Sequence, residues 1–198
     1  MENVLIVVDM QNDFTYGALR NEEGIDIIPK VVDKIKKYID DPDGVIIFTQ
    51  DTHTEGYLET EEGKNLPVEH CMYNTEGWEL VEPVKKFYDD YHDNAGNVTK
   101  MVCINKPTFG AIALGDYAFA DLGIDRTVRA IDQDVTVELV GLCTDICVIS
   151  NAVMAKTFLP DAHIVVDASC CAGVTPESHK TALKAMKAIH VEIINEEE

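Results

Sequence analysis

Cys147 is the residue of this chain whose surroundings in sequence best suit reactivity. It lies in Gly141-Leu142-Cys143-Thr144-Asp145-Ile146-Cys147, where an apolar run gives way to a helical pattern. A thiol near a helix start meets backbone N–H groups and the positive end of the helix dipole. Both stabilise a thiolate, the nucleophilic form, and the same N–H groups can bind an oxyanion. An ammonium beside it, such as Lys106, would lower the thiol pKa further. Taken alone, Cys147 reads first as a buried structural cysteine, the common fate of free thiols. Its pairing with Cys143 is not a metal or redox motif, because the spacing matches neither a zinc ribbon nor a thioredoxin pair. A second group of donors is Asp51, His53 and, seventeen residues on, His70. Two imidazoles and a carboxylate suit a borderline divalent ion, Zn, Mn or Fe, with open coordination positions. Glu59, Glu61 and Glu62 lie between the histidines as further oxygen donors, although solvated loop side chains are the plain alternative. His92, His163, His179 and His190 are assigned to surface or packing roles.

These residues need a scaffold, and the apolar pattern predicts one. Strands are expected at Val4 to Asp9, Val45 to Thr49, Val98 to Ile104, Thr136 to Leu142, His163 to Val166 and, at an edge, Val191 to Ile194. Between them come helical patterns at Ile25 to Ile39, Glu82 to Tyr88, about Asp145 to Phe158, and Pro176 to Ala188, the last opened by Thr175. Alternating strands and helices predict an α/β fold, a doubly wound, mostly parallel six-stranded sheet with helices on both faces. No internal repeat or linker interrupts residues 1–198, which read as a single domain. Two long irregular stretches, Asp51 to Gly77 and Asp89 to Asn97, are expected to carry function. In open parallel sheets ligands bind beyond the carboxyl ends of the strands. Asp9 ends the first expected strand, Asp51 and His53 follow the second, Lys106 the third, and Cys147 opens the helix after the fourth. One sheet edge thus gathers a carboxylate, an ammonium, a thiol and metal-type donors.

Composition narrows the setting. With 16 basic and 36 acidic side chains in 198 residues the chain carries a formal charge of −20. Such a surface repels phosphate backbones and anionic lipid, so neither nucleic acid nor membrane is expected as a partner. No apolar run approaches the roughly 20 residues of a membrane span. The run Val4 to Val8 is too short for a signal peptide and leads straight into Asp9. Six cysteines fall below the density of a disulfide-stapled secreted domain, and a reducing, cytoplasmic location is expected.

In order along the chain, the segments VVDMQNDF (Val7 to Phe14), DTH (51 to 53), LPVEHC (Leu66 to Cys71), the Lys106 loop and GLCTDICV (Gly141 to Val148) resemble the isochorismatase-like cysteine hydrolases, in particular the nicotinamidase and pyrazinamidase branch. The resemblance also takes in Asp167 to Ala182. It implies an Asp–Lys–Cys triad: Asp9 as general base, Lys106 as the ammonium that holds the thiolate and carboxylate, and Cys147 as nucleophile. It implies an oxyanion hole from the backbone N–H groups of Cys143 and Cys147, with a cis peptide between Leu142 and Cys143. It implies a divalent metal on Asp51, His53 and His70, with Glu62 favoured among the glutamates, and no organic cofactor. The substrate implied is a small nicotinamide-like carboxamide, hydrolysed to the acid through a thioester. Phe14 and Leu66 are expected at the substrate, because Asn65-Leu66-Pro67-Val68-Glu69-His70 lacks the tryptophan that such nicotinamidases carry before the second histidine. The alternative is a non-catalytic or differently specific protein of the same fold that binds another small ligand. Assembly into a homo-oligomer is left open.

Overall fold

The computed structural model describes residues 2–93, 100–115 and 135–196. Six strands form one sheet: β1 (Glu2–Val8), β2 (Gly44–Asp51), β3 (Lys100–Lys106), β4 (Val135–Leu142), β5 (His163–Ala172) and β6 (Glu192–Ile194). They lie in the order β3-β2-β1-β4-β5-β6, and every adjacent pair is parallel. The chain therefore winds outward from β1 in one direction, returns, and winds outward from β4 in the other. That leaves a crevice beyond the carboxyl ends of β1 and β4, where the strand order reverses and ligands of such sheets bind.

Parallel strands covered on both faces need apolar side chains on both, which is why the central strands read as continuous apolar runs. Along β1, Val4, Ile6 and Val8 enter one core and Leu5 and Val7 the other. The first core is closed by Val148, Ala152 and Ala155, the latter two on α6 (Ile149–Phe158), and by Leu183 and Met186 of α7 (Pro176–Ala188). The second is closed by Val31 and Ile35 of α3 (Ile28–Ile39) and Val84 of α5 (Glu82–Asp93). Among the described residues no helix is long and apolar enough to cross a membrane.

Several expected elements differ in extent. The helical pattern from Ile25 splits at Ile27 into α2 (Glu22–Asp26) and α3. Asn21 caps α2 by accepting from Gly24 N–H, and Pro29, without an N–H, restarts the helix in its first turn. The stretch Asp51 to Gly77 is not wholly irregular: a short 3₁₀ turn at Tyr57–Glu59 precedes α4 (Glu61–Asn65), capped by Thr60. β5 runs to Ala172 rather than stopping at Val166. The expected strand residues Val98 and Thr99 lie outside the described residues, as does the second expected loop from residue 94 onward; Asp89 to Asp93 are helical. Thr175 opens α7 as expected, its hydroxyl accepting from Ser178 N–H in a reciprocal capping box.

A buried polar knot ties α3 to the sheet. Lys34 Nζ lies 2.6 Å from Glu138 Oε1 on β4 and 2.8 Å from Asp167 Oδ2 on β5, and the Tyr38 hydroxyl donates to Glu138 Oε2. Burial works to raise the Asp167 carboxyl, but hydrogen bonds from Lys34, Ser169 and Asn195 outweigh it and hold it below the usual carboxylate range. The stabilisation from Asp167 is thus complete above the unfolded-state pKa and is lost as pH falls through the lower folded value. Lys34→Met leaves two buried carboxylates without their cation and is expected to cost about 3–5 kcal/mol in urea unfolding at neutral pH. Its deficit relative to wild type should shrink as the pH is lowered below about 4, where Asp167 takes up its proton.

Candidate active site

Three strand ends and one turn assemble the site. At the end of β1 the chain turns sharply: Asp9 adopts a left-handed backbone (φ 48°) and Gln11 N–H donates to Asp9 carbonyl. A non-glycine residue is uncommon in that region and marks a local constraint. The Asp9 carboxylate is completely buried, with Oδ1 accepting from the Thr49 hydroxyl at 2.6 Å and Oδ2 2.7 Å from Lys106 Nζ. Oδ2 receives no well-directed hydrogen bond, so a lone pair there remains open to a proton. Lys106, the last residue of β3, is buried as well, and its ammonium sits 3.5 Å from Cys147 Sγ and 3.4 Å from Asp51 Oδ1. Residues far apart in sequence thus meet around one ammonium.

Cys147 stands in a π-type turn, Thr144–Val148, that joins β4 to α6. Cys143 carbonyl accepts from both Ile146 and Val148 N–H, so the turn is wider than an α-helical one. The peptide between Leu142 and Cys143 is cis. Just before it, Gly141 has φ 117°, and a Cβ there would fall 2.1 Å from Val8 carbonyl oxygen. Only glycine lets β4 press this closely on β1.

Burial and mutual charge shift all three groups upward. Burial raises the Asp9 carboxyl, opposed mainly by Lys106. Burial would lower Lys106, but Asp9, Cys147 and Asp51 together hold it protonated. Burial and the Asp9 charge push the Cys147 thiol well above its ordinary value. A raised carboxyl beside a protonated thiol is an arrangement for proton transfer from sulfur to oxygen during attack.

Asp51 connects this group to the second. Its Oδ1 faces Lys106, while Oδ2 lies 3.1 Å from His53 Nε2 and 3.4 Å from His70 Nε2. Glu62 Oε1 completes the set, 3.5 Å from His53 Nε2 and 3.9 Å from His70 Nε2. Of the three glutamates between the histidines, Glu62 is the one whose carboxylate joins the cluster. Four donors around a zinc ion, with ligand bonds of about 2.05 Å, would stand about 3.3 Å apart, and the observed separations bracket that figure. His70 Nδ1 lies 2.8 Å from Val68 carbonyl, which accepts from it, and Nε2 is the ring nitrogen that faces the cluster. Burial works to raise Asp51, but its hydrogen bonds with His53 and His70 and the Lys106 charge outweigh it and keep it ionised. The donor set fits a divalent cation.

Loop pairing brings the histidines together: His53 N–H donates to Cys71 carbonyl, and Tyr73 N–H donates to His53 carbonyl. Tyr57, buried beneath, packs its ring 4.4 Å from that of His53 and 5.1 Å from that of His70. Above the site opens a cavity of about 1230 Å³ that exposes Cys147, Cys143, Asp51 and His70 on its floor. Phe14 and Leu66 both line it, with Phe109 and Ile146 among the other apolar walls, and Phe14 meets the His70 ring edge-on at 5.7 Å.

Asp9, Lys106 and Cys147, the donors Asp51, His53, Glu62 and His70, and the cavity residues Phe14, Leu66 and Cys143 therefore converge, whereas Glu59 and Glu61 stay outside the donor set. Those missed are the ones that hold them. Gln11 clamps Asp51 through both backbone groups, accepting from its N–H at 2.7 Å and donating to its carbonyl at 2.9 Å. Asp13 accepts from Cys71 N–H at 2.7 Å and Ala18 N–H at 3.0 Å, tying the segment before the second histidine to the turn after β1. Thr49 braces Asp9. Polar residues at the ends of otherwise apolar strands were the available signal for Gln11 and Thr49.

This architecture has relatives. The chain is 32% identical over 186 residues to the uncharacterized isochorismatase family protein PncA of Bacillus subtilis (strain 168), covering 92% of this chain and 93% of that protein. Among solved structures it superposes on the pyrazinamidase/nicotinamidase of Streptococcus mutans UA159 with a TM-score of 0.80 at 26% identity, covering 98% of this chain and 100% of that one. The pyrazinamidase of Pyrococcus horikoshii in complex with zinc superposes with a TM-score of 0.73 at 27% identity, over 98% of this chain and 99% of that one. The family model for the isochorismatase domain matches residues 3–198, and the chain belongs to that family.

Proposed function

We propose that this protein is a cysteine-dependent amidohydrolase that converts a small nicotinamide-like carboxamide to its acid. The observation that carries the reading is the Lys106 ammonium, buried between Asp9 at 2.7 Å and the Cys147 sulfur at 3.5 Å beneath an open cavity. The nicotinamidase and pyrazinamidase names of its structural relatives support an amide as substrate.

In this reading Cys147 Sγ attacks the amide carbon while its proton passes to Asp9 Oδ2. The carbonyl oxygen becomes an oxyanion, held by the N–H groups of Cys143 and Cys147, where one such donor is worth on the order of 100-fold in rate. Asp9 returns the proton to the departing nitrogen, the C–N bond breaks, and ammonia leaves a thioester on Cys147. Water then attacks the thioester, giving a proton to Asp9; the C–S bond breaks, and the proton returns to sulfur as the acid departs. Lys106 keeps the Asp9 carboxylate ionised between steps and stabilises the sulfur as it gains charge. Asp51, His53, His70 and Glu62 would hold a divalent ion, Zn, Mn or Fe. Such an ion supplies Lewis acidity and an anchor for a ring nitrogen. Phe14 and Leu66 supply apolar cover for the substrate ring. Six free thiols support a reducing, cytoplasmic setting.

The cavity mouth also bears on the substrate. Glu22, Glu23 and Glu61 line it, and Arg20, the one arginine or lysine among the described lining residues, is paired with Glu22 at 2.8 Å. A carboxylate-bearing substrate would meet like charge, whereas a neutral carboxamide enters freely and its anionic product is repelled outward.

Ammonia release from nicotinamide and pyrazinamide tests the activity. Wild type should turn over at least one of them, and Cys147→Ala should lose more than about 1000-fold in kcat/KM; equal release by the two proteins would sink the reading. The acid limb of the kcat/KM profile should lie above the ordinary aspartate value, because burial raises Asp9 and the base must be ionised to accept a proton. Elemental analysis of protein prepared without chelator should find about one divalent ion per chain, and His53→Ala/His70→Ala should find almost none. Pyrazinamide carrying an added ring carboxylate should be hydrolysed about 10-fold or more slowly than a neutral isostere, and raising the salt concentration should narrow the gap.

A further inference from the structure

The segment from Gly173 to His179, which joins β5 to α7, grips the turn that carries Cys147. Thr144, the first residue of that turn, is completely buried, and its hydroxyl lies 2.8 Å from His179 Nδ1. The next residue, Asp145, accepts from Val174 N–H at 3.0 Å. The gripping segment is itself held. His179 N–H donates to Thr175 carbonyl inside the capped first turn of α7, and Asn21 on the opposite side donates to Gly173 carbonyl at 2.7 Å. A Cβ on Gly173 would come within 2.8 Å of the His179 Cβ, so glycine permits this close approach. His179, expected from sequence at the surface or in packing, is half-buried, and its ring faces Thr144.

From this geometry we propose that His179 is a positioning residue, which sets the Thr144–Val148 turn, and with it the Cys147 sulfur and the N–H groups of Cys143 and Cys147, through its hydrogen bond to Thr144. The proposal rests on the amidohydrolase reading for its kinetic consequence but not for the contact itself. Thr144 follows Cys143 directly and opens the turn that carries Cys147. A shift of Thr144 therefore moves the N–H of Cys143 with it. Misplacement of a reacting group by about 1 Å can cost on the order of 100-fold, so loss of one tether here should be felt in turnover rather than in binding. His179 does not line the cavity and is not assigned any contact with substrate.

A double-mutant cycle tests this on the full-length protein. His179→Ala and Thr144→Val are each expected to lower kcat about 10-fold with KM within about twofold, and the double variant to be no worse than either single one. His179→Asn, whose amide can restore a hydrogen bond near Nδ1, and Thr144→Ser, which keeps the hydroxyl, should recover most of the loss. Iodoacetamide labelling of Cys147 gives a readout independent of amide hydrolysis, and its rate should fall in both single variants and no further in the double. Additive effects in the cycle, or recovery by neither conservative variant, would overturn the proposal, as would full activity in His179→Ala. Should Thr144→Val or His179→Ala fail to fold, the Asn and Ser variants decide it: both near wild-type rates support the tether, and a 10-fold loss in either overturns it. If wild type hydrolyses no amide but the labelling rates are coupled, the positioning role stands while the amidohydrolase reading falls. If hydrolysis is present and the cycle is additive, the reverse holds.

Discussion

A lysine ammonium with almost no access to water is the constraint around which this molecule is organised. Burying such a charge is expensive, and the cost is offset only by well-placed opposite charge. Asp9 and Asp51 supply it from the ends of two strands, and β3 delivers Lys106 from a third. Two carboxylates around one ammonium leave an excess of negative charge. On the Asp9 side it meets the Cys147 thiol, which burial and the Asp9 charge push up. On the Asp51 side it meets two imidazoles and a site shaped for a cation. The proposed nucleophile and the proposed metal site are thereby parts of one electrostatic balance, with Asp51 as the hinge between them.

The sheet topology makes that balance possible. Side chains on a strand alternate between faces, and the rigid strand ends bring groups from β1, β2 and β3 to one rim with little freedom. The reversal between β1 and β4 opens the rim, and the close approach allowed by Gly141 places the Cys147 turn against Asp9. Around the rim the loops serve mainly to brace. Gln11, Asp13 and Thr49 spend their hydrogen bonds on backbone or on the carboxylate of the site, and the long loop after β2 is paired back on itself so that its two histidines face one another. Among the described residues Phe14 and Phe109 give the cavity aromatic surface, with Tyr57 underneath the histidines.

The chemistry-bearing residues were legible because they sit where apolar strand patterns end, and a reactive type at such a place is conspicuous. Element types were legible for the same reason: β1 and β2 each carry a continuous apolar run, Val4 to Val8 and Val45 to Phe48, and α3 and α7 carry their contacts at helical spacing. Extents were less so. The break at Ile27 depends on a cap and a proline acting together, and the continuation of β5 to Ala172 depends on pairing with β4, which no local pattern reports. The grip of His179 on Thr144 was invisible, since a half-buried histidine on an amphipathic helix resembles any other.

From the chain alone came the alternation of strands and helices, the identity of Asp9, Lys106 and Cys147 as the residues to watch, and a set of oxygen and nitrogen donors after the second strand. Those follow from local periodicity and residue chemistry, which one dimension records. Tertiary structure decided that Glu62 rather than Glu59 or Glu61 joins the donors, and that Asp9, Asp51 and Cys147 meet around one buried ammonium. Each of these depends on distances of a few ångströms between segments tens of residues apart and on exclusion of water, and both arise only when the sheet has closed its two cores.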